Sequence, residues 1–123
     1  MYLPAARRRL HTRLLAVAAL LVFFALALDT AGRKAITTDE PLHLVHALTL
    51  AQTGAMRIPE MHTPLTYRLV GELLRTEPAL PAVTDMATWP TQNPYDIGRE
   101  YIRRDDVAID RVMWLSRLVV VLM

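Results

Sequence analysis

Residues Leu14–Leu28 read LLAVAALLVFFALAL, fifteen consecutive positions with neither a charge nor a polar side chain. A run of this kind has to be covered by a protein core or by lipid. In a soluble domain of 123 residues the apolar side chains would be spread along the chain. Here they are concentrated, because a second apolar run, LVVVLM, occupies Leu118–Met123. Six apolar residues at a terminus are unusual, since termini are ordinarily exposed and polar. The natural chain is therefore expected to continue, with this sequence as a fragment of it.

Charge sets the orientation of the first run. The net charge of +2 conceals an asymmetry. Arg7, Arg8, Arg9 and Arg13 precede the run with no acid among them, whereas residues 29–110 carry all 12 acids against 8 bases, a balance of −4. Arg111 and Arg117 flank the second run and complete the 14 bases. Basic residues before an apolar span hold that end in the cytoplasm, so the intervening loop is expected outside. Four arginines abutting an apolar span are explained by topology rather than by nucleic-acid binding. Thirteen arginines against one lysine suggest a GC-rich bacterial genome, and so an inner (plasma) membrane location. The absence of cysteine leaves the loop without disulfides and rules out a thiolate metal site.

Fifteen residues make about 22 Å of helix, short of the roughly 30 Å hydrocarbon core and close to the range of a cleaved signal. Ala25-Leu26-Ala27 even resembles a small-x-small cleavage site. An anchor is favoured because Arg13 can snorkel and Thr30-Ala31-Gly32 can extend the helix. A further argument is that Val112–Arg117, with Trp114 at interfacial depth, reads as the entry of another span. The expected fold is all-α: an integral membrane protein with one transmembrane helix (14–31) after a cytoplasmic basic segment (1–13). An extracytoplasmic loop (32–111) with amphipathic juxtamembrane helices follows, and then the start of a second transmembrane helix (112–123).

Within the loop, Glu40–Thr53 carries helix punctuation. Asp39 or Thr38 can serve as N-cap, Pro41 sits in the first turn, and Gly54 is a natural stop. Leu44, Leu48 and Ala51 share a face, with Val45 and Ala47 beside it, which predicts an amphipathic helix lying along the membrane surface. Residues 65–75 predict a second short amphipathic helix, modestly weakened by Gly71. Residues 76–98, rich in proline, should be irregular, and Glu100–Val112 should be a charged helix leading into the second span.

Asp39 and Glu40 are the acids best placed for chemistry. At a helix N-terminus they are stabilised by unpaired N–H groups and the helix dipole, which explains them as structural residues. The same setting keeps a carboxylate ionised and available as a general base. Glu40, His43 and His46 recur every three residues, a spacing compatible with a divalent metal, although they drift about 120° around the axis. No cofactor is otherwise indicated: a phosphate-binding glycine loop, a nucleophile elbow and an HExxH motif are all missing from the sequence.

The order of elements goes further than any one motif. A basic start and first span lead to Thr38-Asp39-Glu40-Pro41-Leu42-His43, a helix ending in Gln52-Thr53-Gly54, then His62-Thr63-Pro64-Leu65. A polar stretch with Trp89 and a second span entered through Arg117 follow. This order resembles the amino-terminal part of the C-type, polyprenyl-phosphate-dependent membrane glycosyltransferases, the superfamily of the protein O-mannosyltransferases and aminoarabinose transferases. Thr63 stands where that family usually has proline. The resemblance implies transfer of a sugar from a polyprenyl-phosphate donor to an extracytoplasmic acceptor. It assigns Asp39 as the catalytic carboxylate, with Glu40 beside it to position Asp39 or a basic partner, and His62 and Tyr67 lining the donor site. Its implied partners are membrane lipid, the lipid-linked sugar and the remaining transmembrane helices, without which the fragment should be inactive. Two other readings stay open: a small bitopic membrane protein with an extracytoplasmic binding or assembly segment, and a secreted domain behind a cleaved signal.

Overall fold

The computed structural model describes residues 5–55, 64–78 and 80–123 and is all-helical, with no strand among them. It divides into two compact units, Met1–Lys34 and Ala35–Met123.

The first unit is one helix, α1 (Ala5–Arg33). It includes the arginine cluster and passes Leu28 by more than a turn, so the expected span of 14–31 is the middle of a longer element. Its stretch Arg7–Arg33 is long and apolar enough to cross a membrane, with a mean hydropathy of 2.4 in its most apolar window. Twenty-seven residues make about 40 Å of helix, which exceeds the hydrocarbon core. Leu15, Leu21, Phe23 and Leu26 are each 60% exposed or more, an apolar surface too extensive for water to tolerate easily. Arg33 closes the helix by pairing with Asp29 one turn back, at 2.8 Å, and adds positive charge to the last turn, where the dipole favours it.

The second unit is built around α2 (Glu40–Thr53). Its bounds are those expected, with Pro41 in the first turn and Gly54 closing the helix at φ +70°, a conformation glycine adopts without strain. Its setting is not as expected. Six consecutive residues, Leu44–Thr49, are at most 1% exposed, so α2 is the buried centre of the unit rather than an amphipathic surface helix. The reason is tertiary: α3 (Pro64–Leu74), α4 (Pro94–Ile102), α5 (Ile109–Leu122) and a 3-10 turn at Val83–Asp85 all pack on it. Val45, Leu48, Tyr67, Leu74, Ile97, Tyr101, Val112 and Met113 form the shared core. Burial pushes the Tyr101 phenol up to about 12, and its hydroxyl donates to the Pro81 carbonyl.

Two glycines let the helices approach α2 closely. A Cβ on Gly71 would lie 2.6 Å from the Ala47 carbonyl oxygen, and one on Gly98 would lie 2.7 Å from that of Pro41. Gly71 is thus a contact point between α3 and α2 as well as a weak helix former.

The segment between α3 and α5 is more ordered than its prolines suggest. Gln52 accepts the Val83 N–H and donates to the Pro81 carbonyl, tying the segment to the end of α2. A second 3-10 turn lies at Trp89–Thr91. Glu100 accepts the N–H groups of Ala87 and Thr88 and the Thr88 hydroxyl, which together hold its carboxyl below the usual range. α4 starts where irregular chain was expected: Asn93 caps it by accepting the Tyr95 N–H, and Pro94 fills the first turn. The continuous helix expected over Glu100–Val112 is broken between Ile102 and Ile109. There Arg104 folds onto Asp106 two residues away, a bidentate pair that straight helix does not allow. α5 then begins at Ile109, three residues before the expected span, and seats Val112, Met113 and Leu115 in the core.

The close contacts predict that Gly71→Ala and Gly98→Ala lower stability although alanine is the better helix former. Alanine gains about 1 kcal/mol of propensity, and clashes against fixed backbone cost about 1–3 kcal/mol. Thermal melts followed by circular dichroism should show both variants melting below the parent; an unchanged or higher midpoint would contradict the close packing.

Candidate functional site

The site begins with the segment 35–39 that leads into α2. Asp39 occupies the N-cap position, but its backbone is already helical (φ −91°, ψ −21°) and its carboxylate does not cap the helix. N-cap residues ordinarily adopt extended backbone, which turns the side chain over the first amides. Asp39 instead projects outward, exposed, with no hydrogen bond or ion pair to its carboxylate from the described residues. Its carbonyl accepts the His43 N–H at 3.1 Å.

Glu40, the next residue, is committed. Its carboxylate accepts the Thr37 N–H at 2.8 Å and receives both Nε and Nη2 of Arg117 at 2.8 Å. The two side chains are 13% (Arg117) and 20% (Glu40) exposed, so water screens this pair far less than the other ion pairs in the unit. Arg117 also donates to the Ala35 carbonyl at 3.3 Å. A planar guanidinium suits such bidentate contact, because its two donors match the two carboxylate oxygens.

Beside this pair, α2, α3 and α5 enclose a cleft of about 430 Å³. Leu44, Val70, Met113 and Val120 make its walls apolar, and Glu40, Arg117, His43, Tyr67, Thr66 and Ser116 supply its polar groups. Tyr67, 2% exposed, reaches from α3 to place its hydroxyl 2.8 Å from His43 Nδ1. Its ring also stacks on His46, centroid to centroid 5.2 Å, and His46 is fully buried beneath it. The phenol can donate to or accept from the imidazole nitrogen, depending on the tautomer. The cleft therefore combines apolar walls, an arginine paired with Glu40 and a hydrogen-bonded imidazole–phenol pair.

The expected site residues are thus brought together unevenly. Glu40 and Tyr67 line the cleft, and Asp39 precedes Glu40 in the chain and is exposed, outside the cleft lining. His62 lies outside the described residues. The trio Glu40, His43 and His46 is not gathered for a metal: Glu40 turns to Arg117, His43 to the Tyr67 hydroxyl, and His46 lies under the Tyr67 ring. Among the described residues no three carboxylate or imidazole groups converge as metal ligands. Two participants went unrecognised in the sequence, Arg117 as the partner of Glu40 and His43 as that of Tyr67. Arg117 carried a usable signal, because a charge set among apolar residues has to find a counter-charge. No protein-family model, curated protein or solved structure matches this chain.

Tyr67→Phe removes the hydroxyl without disturbing the buried ring. It should lower stability by about 1 kcal/mol and displace the 15N resonance of His43 Nδ1. An Nδ1 resonance identical to that of the parent would contradict the bond.

Proposed function

We propose that this chain forms the first extracytoplasmic part of a polyprenyl-phosphate-dependent membrane glycosyltransferase, with Asp39 as its general base. In this reading α1 spans a bacterial plasma membrane with its arginines in the cytoplasm, and the unit from Ala35 onward faces the outer side. Asp39 takes the proton from an acceptor hydroxyl as that oxygen attacks the anomeric carbon of the donor sugar. The bond between that carbon and the phosphate oxygen breaks, and polyprenyl phosphate leaves with the electron pair.

The observation that carries the reading is the division of labour between adjacent acids. Asp39 is exposed and uncommitted among the described residues, as a base must be to meet an acceptor. Glu40 is locked onto Arg117 and the Thr37 amide, and so supports the site rather than exchanging protons. Asp39 follows the last residue of α1 by six positions in the chain. The cleft walls of Leu44, Val70, Met113 and Val120 have the chemistry to hold part of the apolar chain of a polyprenyl-phosphate donor, while Arg117 is engaged by Glu40. The family's motif order, from Asp39-Glu40 to His62-Thr63-Pro64-Leu65, adds to this. Donor sugar and acceptor are left unassigned.

One observation favours a second reading, a bitopic membrane protein that acts by assembly. Leu65, Leu69, Val120, Leu122 and Met123 are large, apolar and exposed, which suits contact with further helices or a partner.

The test is transfer by the full-length protein in membranes supplied with labelled polyprenyl-phosphate sugars, read as release of polyprenyl phosphate. Asp39→Asn should reduce release by at least a hundredfold, the usual scale of general-base catalysis, with the protein still inserted in the membrane. Release at the parent rate by this variant would exclude Asp39 as the base. Absence of release from any such donor by the parent would favour the assembly reading.

A further inference from the structure

We propose that Arg117 of α5 is a positioning residue for Asp39, acting through Glu40; the catalytic part of this inference rests on the function proposed above. One guanidinium governs the whole segment from Ala35 to Glu40. It bonds the Ala35 carbonyl at one end and the Glu40 carboxylate at the other, and that carboxylate takes the Thr37 N–H in between. Asp39 lies inside this bracket, and among the described residues its bond is a backbone one, its carbonyl accepting the His43 N–H.

The clamp comes from 77 residues along the chain, and α5 gives it a firm base. Met113, one turn before Arg117, is 2% exposed in the core, so the helix cannot shift without disturbing that packing. The other bidentate pair of this helix, Arg111 with Glu77, is a natural control. Its arginine is 66% exposed and it touches neither the 35–40 segment nor the cleft. A lysine at 117 would keep the charge but could not match both carboxylate oxygens and the Ala35 carbonyl from one plane.

Such an arrangement makes the placement of the Asp39 backbone, from which its carboxylate extends, a property of α5. Loosening the clamp leaves the acid present and exposed, but spread over many orientations. Catalysis then loses the oriented fraction, which shows as a fall in kcat rather than as a weaker KM.

The experiment is amide hydrogen exchange at Ile36 and Thr37 in the full-length protein in nanodiscs, for the parent, Arg117→Lys, Arg117→Gln and Arg111→Gln. Turnover of the same variants and of Asp39→Asn is measured alongside. Arg117→Gln should speed exchange at Thr37 at least tenfold and lower kcat at least tenfold, with KM changed less than threefold. Arg117→Lys should fall between it and the parent, and Arg111→Gln should match the parent in both. Unchanged exchange at Thr37 in Arg117→Gln would overturn the proposal, as would an equal increase in Arg111→Gln. It would also fail if exchange rose while kcat held and Asp39→Asn was inactive. If exchange rises but Asp39→Asn still transfers sugar, the clamp stands and the catalytic role of Asp39 is what fails.

Discussion

Much of the second unit depends on the burial of α2 on every side. A helix with six consecutive residues out of contact with water needs neighbours all around it, and α3, α4 and α5 supply them. That demand explains glycine at 71 and 98, where larger residues would hold the neighbours away from the α2 backbone. It also explains why the Gln52 amide and the Glu100 carboxylate are spent on backbone groups of the connecting segment, which would otherwise hang loose over the core. The cleft follows from the same packing, since it is the gap left where α2, α3 and α5 diverge beside the N-terminus of α2.

At that gap the chemistry is set by electrostatics. Two adjacent carboxylates precede or begin α2, and a single arginine meets one of them. A half-buried carboxylate without a counter-charge is costly, and a bidentate guanidinium offsets the cost while fixing orientation. Once Glu40 is paired, Asp39 is left facing solvent. The asymmetry between these neighbours is therefore a product of tertiary structure, and it turns a pair of similar acids into a support and a candidate base.

How far the sequence reveals this varies by residue. The limits of α2 are legible because Pro41 and Gly54 act locally, through missing donors and positive φ. Its environment is not: His46 and Thr49 look like a polar face, and only the arrival of α3 and α4 buries them. The start of α4 was legible from Asn93-Pro94 but was hidden among prolines read as irregular chain. The break before α5 was not, because Arg103-Arg104-Asp105-Asp106 is as compatible with helix as with the Arg104–Asp106 turn that forms. Glu40 and Tyr67, both singled out in the sequence, line the cleft; the charge of Arg117 among apolar residues signals a need for a partner, but which partner is not local, since the contact spans 77 residues. α1 is longer than its apolar run because arginine is a good helix former, so the helix continues through the basic cluster.

If the proposed function holds, the cleft lined by Glu40 and Tyr67 receives a lipid-linked donor. This is tested most directly by photocrosslinking the full-length protein in membranes with a polyprenyl phosphate carrying a diazirine near its phosphate, and mapping the adducts by mass spectrometry. Adducts are expected on the peptides containing Tyr67–Val70 and Met113–Val120, lost when unlabelled polyprenyl phosphate is added in excess. Adducts confined to α1, or adducts that excess unlabelled lipid does not displace, would contradict it.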